Sequence, residues 1–334
     1  MKKDELQIYL ITYNRRDYLV KTLEKIFSEK SPIKNFDITI INNASTDGTD
    51  DVILEYQKRF RNLQHIRNCV NVGGSGNIIK AYELATQSRK KYIWILCDDD
   101  IFNFSNWHEV EEAMDKDADI ICVSDYCFPK NKKDNKAYQA TQLTFIPACI
   151  FKREHITSNI ISLMYEAAYT LFPQLTYVFS IINNDGFIYV LSEPIMYQGL
   201  HFNTKVADNS YIRGNSYQFN LERKRYFRWI LGYSNMLTLL NDKKLIKECM
   251  DVAIPAKDIY CKWKNFYYDM RYRYLHINTL SYFYEIYKLL KFKRKVCFWL
   301  SLLKPRCFDL YFIMLNNLGI LMKINFHNFI ARYR

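Results

Sequence analysis

Three consecutive acids, Asp98, Asp99 and Asp100, follow the apolar run Ile93-Trp94-Ile95-Leu96 with only Cys97 between. Carboxylates placed side by side repel one another and gain from a cation held between them. Hard oxygen ligands suit Mg2+ or Mn2+, which commonly bridge to substrate phosphates. The plain alternative is a solvated acidic turn, although a buried strand seldom ends in three acids without a reason. Two further polar clusters close apolar runs: Thr12-Tyr13-Asn14-Arg15, and residues 42–49. Open α/β sheets bind ligands at the carboxyl ends of their strands, so the three clusters are expected to converge on one crevice. A fourth segment, residues 68–77, is a glycine-bearing loop that opens a helix. It could place backbone N–H groups near phosphate. Alone it is weak, being neither a P-loop nor a GxGxxG fingerprint, and a plain turn serves it equally well.

The elements that must position these clusters alternate in a βαβ rhythm. Leu6–Thr12 reads as the first strand, and Leu19, Leu23, Ile26 and Phe27 mark one face of the helix after it. Residues 36–42 form a second strand, and Val52, Tyr56 and Phe60 mark a second helix. A third strand is read at 63–66, then a loop to 76 and a helix over 77–86 with Ile78, Tyr82 and Ala85 inward. Strands at 92–96 and 119–124 follow, with strand-like stretches at 186–191 and 195–197 and a helical pattern from about 219. The expected organisation is an α/β domain over residues 1–215 and a helical region over 216–334.

Composition narrows the class. The chain has 334 residues, 49% hydrophobic and 25% charged, which excludes a disordered or low-complexity protein. Its nine cysteines are odd in number and form no CxxC pair, so a reduced, cytoplasmic chain is expected rather than a disulfide scaffold or a zinc knuckle. The net charge is +12, and residues 257–334 supply +11 of it, with 15 Lys and Arg against 4 Asp and Glu. No signal-peptide apolar region follows the N-terminus. The apolar stretches 296–303 and 310–322 fall short of the ~20 residues of a membrane span. In the tail, Trp263, Phe266, Tyr267, Tyr268, Tyr272 and Tyr274 interleave with Lys and Arg. That mixture fits an anionic membrane surface and fits a plain helical bundle equally. Pairing with another copy is open, and nucleic acid is the least favoured partner.

The segments Leu10-Ile11-Thr12-Tyr13-Asn14-Arg15, Ile41-Asn42-Asn43-Ala44-Ser45-Thr46-Asp47-Gly48-Thr49, Asn71-Val72-Gly73-Gly74-Ser75-Gly76-Asn77 and Cys97-Asp98-Asp99-Asp100 occur in the order and spacing of the family-2 glycosyltransferases, which the chain resembles over roughly residues 6–125. The resemblance implies an α/β GT-A fold, Rossmann-like with a mostly parallel sheet, here with a C-terminal helical appendage. It also implies a nucleotide-diphosphate-sugar donor, Mn2+ or Mg2+, and inversion at the anomeric carbon. The Asn-Ala-Ser-Thr-Asp-Gly-Thr form is similar to rhamnosyl- and abequosyl-type transferases of surface polysaccharides. The implied acceptor is a glycan or a polyprenol-linked precursor, met in the cytoplasm or at the inner face of the cell membrane.

By the same resemblance Thr12 and Tyr13 line the base pocket, and Asn14, Arg15, Ser45, Asp47, Gly73 and Asn77 belong to the nucleotide-binding set. Asn43 stands where the family usually has an Asp that accepts from the uracil N3–H. Its side-chain oxygen can accept the same bond, so a UDP- or dTDP-sugar is expected. Asp99 matches the usual metal-binding carboxylate, with Asp98 or Asp100 near the ribose and the second coordination position. The commoner Asp-Ala-Asp-Asp spelling would put Cys97 at its first Asp, so the register within the trio stays open.

An inverting transfer needs a base for the acceptor hydroxyl. The family usually carries Glu-Asp at the start of a helix shortly before a Gly, and counting back from Gly186 reaches Gln174-Leu175. Gln cannot act as a base. The remaining candidates are Glu166, Asp185 and His201. Asp185 reads first as a turn former. Glu166 is the expected base, with a solvated helix face as its plain alternative, and His201 is expected to touch the diphosphate or the metal. Three rivals follow. One is a nucleotide-sugar-binding scaffold without turnover. Another is a nucleotidyltransferase, which lacks its Gly-rich, Lys-bearing loop here. The last is a nucleic-acid-binding protein.

Overall fold

In the computed structural model Leu6–Thr12 forms β1, with the bounds its apolar run predicts. The structure describes residues 2, 4–124, 136–197, 229 and 232–253. The chain continues through α1 (Arg16–Ile26), β2 (Asp37–Asn42), α2 (Thr49–Arg59), β3 (Leu63–Arg67), α3 (Gly73–Gln87) and β4 (Tyr92–Cys97). Then come β5 (Ile101–Phe102), α4 (Trp107–Asp115), β6 (Ile120–Cys122), α5 (Lys136–Gln142), β7 (Cys149–Lys152), α6 (Ser158–Glu166), α7 (Leu175–Asn183), β8 (Ile188–Val190) and β9 (Met196–Tyr197).

Seven strands make one sheet in the order β3-β2-β1-β4-β7-β6-β8. β1 pairs in parallel with β2 on one side and β4 on the other, and β2 with β3. β7 runs antiparallel to both β4 and β6, so the sheet is mixed but mostly parallel. A separate pair joins β5 to β9. Strand order reverses between β1 and β4, because the chain first builds outward through β2 and β3 and then returns. Such a reversal opens a crevice at the carboxyl ends of the two strands.

On one face Leu6, Ile8 and Leu10 of β1 join Tyr92, Trp94 and Leu96 of β4 in a cluster with Leu19, Leu23 and Ile26 of α1 and Val110 and Met114 of α4. Side chains alternate across a strand, which is why every second residue enters this core. Each large apolar side chain so buried contributes ~1.5–3 kcal/mol. Trp94 is fully buried, and its indole N–H donates to the Pro147 carbonyl at 2.9 Å, so its one polar atom is satisfied. The other face carries α3, whose Tyr82 lies 5.9 Å from Phe151 of β7 and 6.4 Å from Tyr177 of α7, centroid to centroid.

β5, α4 and α5 were not read from the sequence, and two further elements depart from its expectation. α3 starts at Gly73 rather than Asn77, taking the glycines of the expected loop into its first turn. β7 was not expected, since its four residues are all buried and show no alternation. Gly232–Cys249 belongs to the same compact unit as the α/β domain. Tyr233 there hydrogen-bonds the Thr141 hydroxyl at 2.9 Å. Apart from residues 229 and 232–253, the expected 216–334 region, with its basic tail, lies outside the described residues. Among the described residues no helix is long and apolar enough to cross a membrane.

Candidate functional site

The crevice forms where β1 and β4 end together. Ile11 faces Cys97 in the parallel register, so the next residues, Thr12 and Asp98, emerge side by side. The Thr12 hydroxyl donates to Asp98 Oδ2 at 2.7 Å, and the Thr22 hydroxyl of α1 donates to the Asp98 carbonyl at 2.9 Å. Arg15, at the N-cap of α1, donates to Asp98 Oδ1 at 3.0 Å and lies 3.4 Å from Asp99 Oδ2. Burial pushes the Asp98 carboxyl up to about 6 against the opposing pull of Arg15 and Thr12. Burial alone would lower Arg15, but Asp98 and Asp99 raise it, so the guanidinium stays charged.

The three acids have three different surroundings. Asp98 is turned to Thr12 and Arg15. Asp100 is buried and turned back, its Oδ2 accepting from the Cys97 N–H at 2.8 Å while Oδ1 has no partner. Burial, with help from the neighbouring carboxylates, pushes Asp100 well above the usual carboxylate range. Asp99 is the most accessible of the three. Within the trio, Asp98 and Asp100 thus each have a partner inside the protein, and they differ in burial from Asp99. Burial and the same carboxylates also push Cys97 up, which keeps it a neutral thiol.

Among the described residues, the set of three His, Cys, Asp or Glu side chains with mutually close ligand atoms is Asp119, Glu154 and His155. It stands at the opposite, amino end of β6, where its members are already paired: Lys152 lies 2.5 Å from Glu154 and 3.9 Å from Asp119, and His155 Nε2 lies 2.6 Å from Asp119. At the crevice the donors are hard carboxylate oxygens, one of them a buried acceptor without a partner, and that set fits Mg2+ or Mn2+.

The loop after β2 is laced to the loop after β1. The Asn43 N–H donates to the Thr12 carbonyl at 2.9 Å, and the Asn14 N–H donates to Ser45 Oγ at 2.9 Å. The Thr46 N–H donates to Asn14 Oδ1 at 2.7 Å. Asp47 accepts from the Arg16 N–H at 3.0 Å and from the Thr49 hydroxyl at 2.5 Å. Partial burial raises the Asp47 carboxyl, but these donors outweigh it and hold it below its ordinary value. Asn14, Ala44 and Gly48 all take left-handed backbone, which lets the two loops turn sharply.

The third loop, residues 68–73, hangs on asparagines. The Asn68 side chain donates to Asn43 Oδ1 and to Asn77 Oδ1, both at 3.0 Å, while Asn77 donates to the Ile41 carbonyl. Gly73 has φ +76° and open space around it, so the chain enters α3 through a conformation that favours glycine. The N-cap residue Val72 gives α3 no side-chain cap and no acid stands in its first turn, although Asn71 Oδ1 accepts from the Gly73 N–H at 2.8 Å. The rest of this helix start, beside the crevice loops, is a favourable place for an anion.

Thr12, Asn43, Ser45, Asn77, Asp98 and Asp100 are thus buried in the floor, and Tyr13, Asn14, Arg15, Asp47 and Gly73 line the rim. The sequence did not reveal Thr22, Asn68 or Asn71, although the density of asparagines between 68 and 77 was a visible signal. Glu166 is exposed at the end of α6, beside Tyr165, which donates to Glu83 at 2.8 Å. Gln174 is fully buried at the head of α7, donating to the Thr144 carbonyl at 2.9 Å with its Oε1 unpartnered. Asp185 has φ +52° and pairs with Lys136 at 2.9 Å, as a turn residue does. His201 lies outside the described residues.

Residues 7–174, half of the chain, match the family described as glycosyl transferase family 2. The abequosyltransferase RfbV of Salmonella typhimurium is 32% identical over 110 residues, covering 33% of this chain and 32% of that protein. The putative teichuronic acid biosynthesis glycosyltransferase TuaG of Bacillus subtilis is 29% identical over 89 residues, covering 27% of this chain and 33% of that one. The chain thus spans about a third of the length of these relatives. Among solved structures, residues 1–349 of S. aureus TarS in complex with UDP-GlcNAc superpose with a TM-score of 0.55 at 13% identity. That likeness covers 85% of this chain and 80% of the other, and shows the fold.

Proposed function

Because this chain belongs to glycosyl transferase family 2 and has the GT-A fold, we propose that it moves a sugar from a nucleotide-diphosphate donor to a glycan acceptor of a surface polysaccharide or a lipid-linked precursor. The observation that carries the reading is the joint ending of β1 and β4, which sets Thr12, Arg15 and the Asp trio at the strand-order reversal. The names of RfbV and TuaG support a polysaccharide precursor, and the UDP-GlcNAc bound to TarS supports a nucleotide-sugar donor.

In this mechanism Tyr13 at the rim flanks the base, and the acid-free first turn of α3 faces the diphosphate. Asp99 and the partnerless oxygen of Asp100 would hold the divalent metal, which supplies charge neutralisation on the leaving diphosphate. Arg15 adds a fixed positive charge beside the same carboxylates. Glu166 takes the proton of the acceptor hydroxyl during in-line attack with inversion, and His201 contacts the diphosphate or the metal. The reaction runs in the cytoplasm or at the inner face of the membrane, with the basic region 216–334 on anionic lipid.

A second reading, a nucleotide-sugar-binding scaffold without turnover, is favoured by Gln174, which occupies the head of α7 with a side chain that cannot accept a proton. A thermal-shift panel with UDP, dTDP, GDP and CMP, each with and without Mn2+, tests the donor site. A metal-dependent shift lost in Asp99→Ala supports the transferase reading, and no shift with any nucleotide refutes it. A metal-dependent shift without any sugar transfer supports the scaffold. Co-sedimentation with anionic but not neutral liposomes at low salt tests the membrane arm.

A further inference from the structure

Asn43 sits at the end of β2 with its whole side chain engaged by the loop after β3. Its Oδ1 accepts from the Val72 N–H and from the Asn68 side chain, each at 3.0 Å. Its Nδ2 donates to Asn71 Oδ1 at 2.8 Å and to the Gly73 carbonyl at 3.3 Å. The orientation of the amide is fixed by the backbone, since the Val72 N–H can only donate and the Gly73 carbonyl can only accept. Asn71 Oδ1 is likewise held as an acceptor by the Gly73 N–H at 2.8 Å. Both lone-pair positions of Asn43 and its amide hydrogens are therefore committed to residues 68–73, and the residue is 2% exposed.

We infer that Asn43 is a positioning residue: it clamps the 68–73 loop, and through it the first turn of α3, against the crevice, and it does not read the nucleotide base. The amide is required for this. An Asp at position 43 would keep the two acceptor contacts but would face the Asn71 oxygen and the Gly73 carbonyl with a carboxylate oxygen, two acceptors without a proton between them and a third. The clamp itself rests only on the geometry. Its consequence for nucleotide selection rests on the donor reading given above.

The test compares wild type, Asn43→Asp and Asn43→Asp with Asn71→Ser in the full chain. The hydroxyl introduced by Asn71→Ser can donate to the new carboxylate while its oxygen still accepts from the Gly73 N–H. Amide hydrogen exchange of the peptide spanning residues 68–76 is expected to speed up about tenfold in Asn43→Asp and to recover most of that loss in the double variant. Affinity for UDP, dTDP and GDP is expected to fall together, by about tenfold, with the ratios among them unchanged within twofold. Unchanged exchange in Asn43→Asp, or no recovery in the double variant, overturns the clamp. A change confined to one base, or tighter UDP binding in Asn43→Asp, shows instead that residue 43 reads the base. If wild type binds no nucleotide, the donor reading fails, while the exchange comparison still decides the clamp.

Discussion

The Arg15 guanidinium lies 3.0 Å from Asp98 and 3.4 Å from Asp99, so a half-exposed cation on α1 already serves two carboxylates at the end of β4. Asp98 is almost fully buried, and removing its partner strands a charge. Breaking a fully buried pair costs ~3–5 kcal/mol, and the exposure of Arg15 reduces the expected loss in Arg15→Gln to about 1–2 kcal/mol. The double variant Arg15→Gln with Asp98→Asn should regain most of it, because the buried charge is then gone. Urea unfolding of wild type, the two single variants Arg15→Gln and Asp98→Asn, and the double variant at pH 7 measures this. A double variant less stable than Arg15→Gln would contradict the account.

Asp99 is the carboxylate of the trio that faces the crevice most openly. Asp99→Asn keeps its size, so stability should change by less than ~1 kcal/mol. Sugar transfer should fall by ~100-fold or more, the usual cost of losing one charge-stabilising group. Transfer assays with thermal melts run in parallel separate the two effects.

Glu166 offers a sharper kinetic test. Glu166→Gln should lower kcat by ~100-fold or more with the donor KM unchanged, the range of a lost general base. Because the side chain is exposed, melting should stay at the wild-type temperature. Full turnover in this variant would return the role to another residue.

Two glycines should respond in opposite ways. A Cβ at Gly232 would stand 1.7 Å from the Thr170 carbonyl oxygen and 2.7 Å from its carbon, both backbone atoms. Gly232→Ala should cost at least the ~1–3 kcal/mol typical of overpacking. Nothing lies within 4 Å of a Cβ at Gly74, which is already helical, so Gly74→Ala should stabilise by ~0.5–1 kcal/mol. Melting temperatures of the two variants check the contrast.

Acid stability should depend on the far edge of the sheet. Lys152 and Lys91, each within 2.9 Å, hold the Asp117 carboxyl down to about 2. A lowered folded value means that the contribution is present above about pH 4, the unfolded range, and is lost as the pH falls toward 2. Asp117 is more than half exposed, so the contribution should stay below ~1 kcal/mol. Asp117→Asn is a clean probe, since Asn also tolerates the left-handed backbone at φ +59°. The stability gap between it and wild type should close as the pH falls from 7 toward 3 in urea titrations.

The first four strands and their helices were legible because alternating or continuous apolar runs end in polar clusters, as Leu6–Thr12 does. The start of α3 was not, because Gly73, Gly74 and Gly76 are poor helix formers, and tertiary hydrogen bonds to the Asn68–Asn77 network override propensity. β7 was hidden because Cys149-Ile150-Phe151-Lys152 is buried on both faces and four residues carry no period. The crevice could be placed from strand ends alone. The division of labour within the Asp trio could not, since it depends on which way each carboxylate turns after β4, and that is set by Thr12, Arg15 and the Cys97 N–H.

The insertion of β7 between β4 and β6 has a consequence for synthesis on the ribosome. All the loops of the crevice are encoded before Cys149, yet the β4 edge has no neighbour until Cys149–Lys152 has been made. A nascent chain stalled before that point carries the crevice loops beside a bare, apolar strand edge, the kind of edge that pairs with other chains. Pairing across so long a stretch of sequence is also slow. Expression yield then depends on how quickly this four-residue strand is delivered beside β4, and fragments ending before it should aggregate even though they contain the loops after β1, β2, β3 and β4.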